Sequence, residues 1–231
     1  MASYRNGLLI VALALGIGLT LFGMYSYGMI GFNPSSSGKT SSPLEAESVS
    51  FPADLSFLYD KVEKVTQTDS NSGDYLQIHQ NVVDTARGCE FCTVIEYSPN
   101  ASNKAFDVAW NGVQKYNISN AKKLTFFARG GNGGESVSFK SLGKTKLDTN
   151  GKPTKEKTFG LTTTPVKLEK KWKKFEINLS GKNLSGIDSP FAVSILNANN
   201  NAISAVIVKG LELDDKPSIP NDGYIKLDEV K

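Results

Sequence analysis

The sequence predicts an all-β domain, a sandwich or barrel of short strands, preceded by one N-terminal transmembrane helix. Three observations predict it. Residues 7–32 form an uncharged apolar run, "GLLIVALALGIGLTLFGMYSYGMIGF". Beyond residue 50 the apolar residues recur mostly at every second position, the period of a half-buried strand. Gly, Asn, Ser and Lys turns separate these runs, and long unbroken βαβ units are absent.

The apolar run exceeds the roughly 20 residues that a bilayer requires. It is also longer than the ~7–15 apolar residues of a signal peptide, although Ser26-Tyr27-Gly28 would serve as a small-x-small cleavage site. Tyr25, Tyr27 and Phe32 gather at its far end, where amphipathic rings favour the membrane interface. Arg5 and the α-amino group precede it, and the next basic residue is Lys39. The positive-inside bias then places residues 1–6 in the cytoplasm, 7–32 in the cell membrane and the rest of this single-pass chain outside. Residues 33–48, "NPSSSGKTSSPLEAES", lack an apolar period and read as a spacer. The extracytoplasmic domain is expected over 49–231. Gly16, Gly18, Gly23 and Gly28 would let a second membrane helix approach closely.

Within the domain, Leu124, Phe126 and Ala128 alternate with Thr125, Phe127 and Arg129. Phe175, Ile177 and Leu179 alternate with Glu176 and Asn178. Tyr75–His79, Thr93–Tyr97, Ala105–Trp110, Ser136–Phe139, Phe191–Leu196 and Ile203–Leu213 also read as strands. One helix is a candidate: Leu55, Leu58, Val62 and Val65 fit a 3.6-residue period, with a first strand as the alternative for the opening residues.

Between the alternating runs stands "ARGGNGGE", with Gly130, Gly131, Gly133 and Gly134 around Asn132. A phosphate cradle needs a helix after the glycines. Here a strand pattern follows, so the cluster reads as a hairpin turn using glycine's positive φ. "KKLTFFARGGNGGESVSF", "WKKFEINLSGKNLSGIDSPFAVSIL" and "ISAVIVKGLELDD" resemble, in order, three segments of carbohydrate-binding modules of the galactose-binding-like superfamily. The resemblance spans roughly Lys122 to Asp215 and implies a jelly-roll β-sandwich of antiparallel strands. Within that frame Arg129 and Glu135 flank the turn on adjacent strands, where opposite charges pair, with a ligand contact as the alternative, and the resemblance implies Trp172 packed at the start of a strand.

A sugar site would need aromatic faces with polar groups beside them. Trp110, Tyr116, Tyr97 and Tyr75 are the candidates. Trp110 stands at a strand end before a turn and is the favoured platform, with burial as the alternative. The resemblance also raises a structural calcium ion, though no cofactor is required. Asp69, Asn71 and Asp74 in "TDSNSGDY", with Glu212, Asp214 and Asp215, offer the hard oxygen ligands calcium takes. A solvated acidic turn is the alternative. Cys89 and Cys92 in "GCEFC" precede a strand pattern, and outside the cell a small disulfide ring is the expectation. Copper or redox use with His79 is a further reading.

One histidine and two cysteines are too few for an ordinary structural zinc site or a His-based triad. Between Lys140 and Lys182 twelve lysines face Asp148, Glu156, Glu169 and Glu176, a balance of about +8 within a chain of net charge +3. Acidic glycans, anionic lipid heads or an acidic partner would suit it; solvated strand faces are the plainer reading, and nucleic acid is not expected outside the cell. Sequons at Asn100, Asn117, Asn178 and Asn183 are compatible with that location. The expected function is non-catalytic binding of a glycan or cell-envelope polysaccharide. The alternative is an assembly subunit whose partners are membrane proteins. Protease added to intact cells is expected to cut residues 50–231; full protection would overturn the topology.

Overall fold

The structure is a computed structural model that describes residues 47–55, 59–65, 76–98, 106–112, 114–196 and 203–230. The predicted membrane helix, 7–32, lies outside the described residues. Among those described, no helix is long and apolar enough to cross a membrane.

The described chain is an all-β sandwich. In order its strands are β1 (Glu47–Ser48), β2 (Ala53–Asp54), β3 (Lys61–Val65), β4 (Leu76–Asp84), β5 (Cys89–Tyr97), β6 (Phe106–Asn111), β7 (Tyr116–Asn117) and β8 (Lys123–Gly130). Then come β9 (Ser136–Leu147), β10 (Pro153–Thr162), β11 (Val166–Lys167), β12 (Lys173–Asn178), β13 (Ser189–Ile195), β14 (Ser204–Asp214) and β15 (Ile225–Leu227). A six-stranded sheet runs β10-β9-β13-β6-β3, with β11 beside β9. A seven-stranded sheet runs β15-β12-β8-β14-β5-β4, with β2 beside β14. Pairing is antiparallel except for β1 with β7 and β12 with β15.

Residue alternation explains the layers. On β8, Leu124, Phe126 and Ala128 are buried between the sheets, while Phe127 and Arg129 point the other way and are only half-buried. Phe175 and Ile177 of β12 lie in register with Phe126 and Leu124 and complete that inner face. From the opposite sheet, Phe139 and Phe191 meet Phe126 at ring separations of 4.6 and 4.8 Å. Each fully buried phenylalanine contributes roughly 1.5–3 kcal/mol through lost water contact.

The outer face of the six-stranded sheet carries a smaller apolar patch. Ala109 and Ala192 form its floor, and Val65 and Phe159 pack over them. This corrects the helical reading of Leu55 to Val65. Val62 and Val65 lie three apart on the strand β3, Val62 in the inter-sheet core and Val65 on the outer patch. Burial on both faces mimics a helical period. Residues 56–58, with Leu58, lie outside the described residues.

The glycine cluster is a corner between sheets, not a hairpin. The strand before it, β8, pairs with β12 and β14; the strand after it, β9, pairs with β10, β11 and β13. Gly133 and Gly134 take φ of 81° and 92°, which glycine adopts without steric cost. Arg129 and Glu135 do not pair. Glu135 is fully buried, and its Oε1 accepts from the N–H groups of Asn132 (2.7 Å) and Gly133 (3.2 Å) and from the Ser204 hydroxyl (2.6 Å). A Cβ on Gly130 would stand 1.7 Å from Glu135 Oε2, so any side chain there would push the carboxyl group off its donors.

Glu135→Ala strands two backbone donors and a hydroxyl in a buried site. A loss of about 3 kcal/mol in urea unfolding is expected, with Gly130→Ala comparably damaging. A Glu135→Ala variant within about 0.5 kcal/mol of the parent would refute the clamp.

Candidate functional site

The predicted sugar platforms do not form a surface. Trp110 is 0% exposed, its ring 4.9 Å from Phe191 and 6.4 Å from Tyr59. Val108 and Trp110 occupy the inward phase of β6, whereas Ala109 takes the outward one. Tyr97 and Tyr116 are likewise buried, at 1% and 6% exposure. Burial pushes the Tyr97 phenol up to about 12; the nearby Glu135 charge adds to this and the Ser204 hydrogen bond opposes it. None of these three rings has a face free for a ligand. Tyr75 lies outside the described residues.

The acidic candidates separate in the same way. Asp69, Asn71 and Asp74 lie outside the described residues. Asp214 already has a cation, the buried Lys123 ammonium at 3.6 Å, and it accepts the Lys216 N–H at 2.8 Å. Asp215 and Glu212 are exposed. Among the described residues no three His, Cys, Asp or Glu side chains gather where a metal ion would fit. Cys89 and Cys92 are joined in a disulfide, so neither offers a thiolate for copper or redox exchange.

What the fold does bring together lies on the outer face of the seven-stranded sheet. Phe127 projects from β8, Trp172 stands just before β12, and Tyr224 precedes β15; all three rings are half-buried. Cations sit between them. Arg129 lies 5.9 Å from the Trp172 ring and Lys209 lies 4.6 Å from it. Lys209 also approaches Phe127 at 5.8 Å, and Lys174 stands 5.6 Å from Phe127 and 5.5 Å from Tyr224. Lys226 closes the row, 5.6 Å from Tyr224. The row therefore reads Arg129, Trp172, Lys209, Phe127, Lys174, Tyr224, Lys226.

The loop between β4 and β5 seats Trp172. Its Nε1–H donates to the Arg87 carbonyl at 2.9 Å, and its ring packs on the cluster formed by Cys89, Cys92 and Ile207. Beside Arg129 opens a cleft of about 220 Å³ with Arg87, Glu96 and Asn132 in its walls. Gly131, Ser204 and Ala205, from the glycine corner and the strand it contacts, line it as well, beside the apolar Val94, Ile203 and Ile207. The site thus offers ring faces and edges, two guanidinium groups, a carboxylate and an amide.

The outer face of the six-stranded sheet differs in charge. There Lys140 pairs with Asp107 at 2.8 Å and Asn111 donates to Glu63 at 2.9 Å. On the seven-stranded sheet Lys226 takes Glu176 and Asp222, both at 2.9 Å. Among the described residues no carboxylate pairs with Arg129, Lys174 or Lys209.

No protein-family model and no curated protein matches the chain. Solved structures of carbohydrate-binding modules resemble it at low identity. A family 11 module from Clostridium thermocellum, in complex with a β-1,3-1,4-mixed-linked tetrasaccharide, is 15% identical over 69% of this chain and 97% of its own, with a TM-score of 0.41. A family 30 module is 13% identical over 69% and 94%, with a TM-score of 0.44. An exo-β-agarase is 12% identical over 74% of this chain but only 26% of its own, with a TM-score of 0.44. Likenesses this distant leave the ligand to be argued from the residues of this chain.

Sequence parity could have located Phe127 and Trp172 on the outer face. Phe127 and Arg129 are out of phase with Phe126, and Trp172 shares the phase of Lys174, opposite to Phe175 and Ile177. Tyr224 carried no such signal, because its place depends on a short parallel strand near the C-terminus. Reduction of the disulfide loosens the seat of Trp172 and is expected to shift the tryptophan emission maximum to the red. An unchanged spectrum after complete reduction would show that the disulfide does not position the ring.

Proposed function

We propose that the chain is a non-catalytic carbohydrate-binding protein whose binding surface is the outer face of the seven-stranded sheet. One observation carries this reading: three half-buried rings, Trp172, Phe127 and Tyr224, lie in a row that leads into a cleft lined by Arg87, Glu96, Arg129 and Asn132. Sugars present C–H faces that pack on aromatic rings and hydroxyls that need donors and acceptors. Rings in a row suit several residues of one chain, and the cleft supplies both hydrogen-bonding senses. The segments that resemble carbohydrate-binding modules include Phe127, Arg129 and Trp172.

The uncharged run of residues 7–32 supports tethering at the cell membrane with the sandwich outside. Such a protein would hold an envelope polysaccharide near the membrane. A second reading, a protein-assembly subunit, is favoured by Phe91 and Val83. They are 70% and 62% exposed on the strands β5 and β4, next to the disulfide.

Screening the full-length chain in neutral detergent against a glycan array is expected to find binders. Trp172→Ala should weaken them at least tenfold while circular dichroism still reports a folded β-sandwich. An empty array, or affinity untouched by Trp172→Ala, would refute the proposed surface. A stable protein partner recovered through Phe91 in that case would favour the assembly reading.

A further inference from the structure

We infer that the glycan selected by this face is polyanionic, a chain bearing uronate, sulfate or phosphate groups; this rests on the carbohydrate reading above. The cation–ring row is the basis. Arg129 and Lys209 lie over Trp172 at 5.9 and 4.6 Å, and Lys174 stands within 5.6 Å of both Phe127 and Tyr224. The Trp172 ring packs on the disulfide cluster, and cations stand beside all three rings. A neutral sugar that stacked there would have to push these cations aside and would return no charge to them. An acidic sugar gives each cation a counter-charge while its ring edges still meet the aromatic groups.

The local charge balance points the same way. Beside the rings two carboxylates are already taken, Glu176 and Asp222, both by Lys226. Among the described residues Arg129, Lys174 and Lys209 have none. Lys140 and Lys157, on the other sheet, are paired with Asp107 and Asp188 at 2.8 and 2.9 Å. Three cations without a carboxylate partner therefore stand along the rings. Lys209 donates to the Gly88 carbonyl and Arg129 to the Gly130 carbonyl, which fixes both heads before a ligand arrives. Alternation of cation and ring suits a polymer that repeats acid and sugar face. Glu96 in the adjoining cleft would repel an acid there, so the cleft is left to a hydroxyl-bearing residue of the same chain.

The test is calorimetric titration of the full-length chain, in neutral detergent, with three probes: hexagalacturonate, cellohexaose and hexaglutamate. Hexagalacturonate is expected to bind at least tenfold more tightly than either of the others. Its affinity should fall steeply with added salt. The triple variant Arg129→Gln, Lys174→Gln, Lys209→Gln should lose that preference, whereas Lys155→Gln on the edge strand β10 should keep it. Equal binding of cellohexaose overturns the anionic selection and leaves the carbohydrate reading standing. Equal binding of hexaglutamate overturns the glycan in favour of an acidic protein. No binding of either sugar together with an empty glycan array overturns the carbohydrate reading itself. An equal loss in Lys155→Gln shows unlocalised charge attraction and overturns the assigned surface.

Discussion

A single buried carboxyl group ties the two sheets together. Glu135 has no exposed surface and no ion partner among the described residues; its Oε1 is held by two backbone N–H groups and one hydroxyl. Burying such a group without those donors would cost several times the net worth of one hydrogen bond. The corner can close only where Gly130 leaves room for the carboxyl group and where Gly133 and Gly134 adopt positive φ. The corner then docks on both sides. Gly131 donates to the Ala205 carbonyl, and Gly134 to that of Leu168, each through its backbone N–H. The strand β14 is thereby fixed against β8, and the side chains that face outward from this pair become a fixed surface. Gly131, Ser204 and Ala205 are at once part of that docking and part of the cleft lining. Joining the sheets and shaping the candidate site are consequences of the same contacts.

The alternation of apolar residues made the sandwich legible, because inward positions on β8 and β12 are large and apolar and outward ones are mostly not. Failures arose where both faces of a strand are buried. Val62 and Val65 look helical only because each has a different apolar surface to cover. Pro153–Thr162, within the lysine-rich stretch and outside the predicted strands, forms an edge strand whose lysines face solvent or acidic partners and discourage pairing with a second sheet. The corner was misread as a hairpin because the residues of a turn do not reveal which strands its neighbours will join. That information lies in long-range pairing.

The candidate site was less legible. Trp110 was chosen for its place at a strand end, but Val108 beside it in phase already marked that face as interior. Trp172 was read as packing material and is the half-buried ring around which the outer face is organised. Both tryptophans had parity information that outweighed their position. The lysine excess between Lys140 and Lys182 was visible, but pairing divides it. Lys140 and Lys157 are neutralised locally, and Lys174 is not. Only three-dimensional placement separates a solvated charge run from a charged surface.

The chain has two tryptophans, one in the core and one on the proposed face, so their indole N–H signals report on the two places independently. The most direct measurement is a nuclear magnetic resonance titration of the full-length chain with an acidic oligosaccharide. The Trp172 indole signal is expected to move progressively to saturation while that of Trp110 stays in place. A saturating titration in which the Trp172 signal does not move would contradict the assignment of this face as the binding surface.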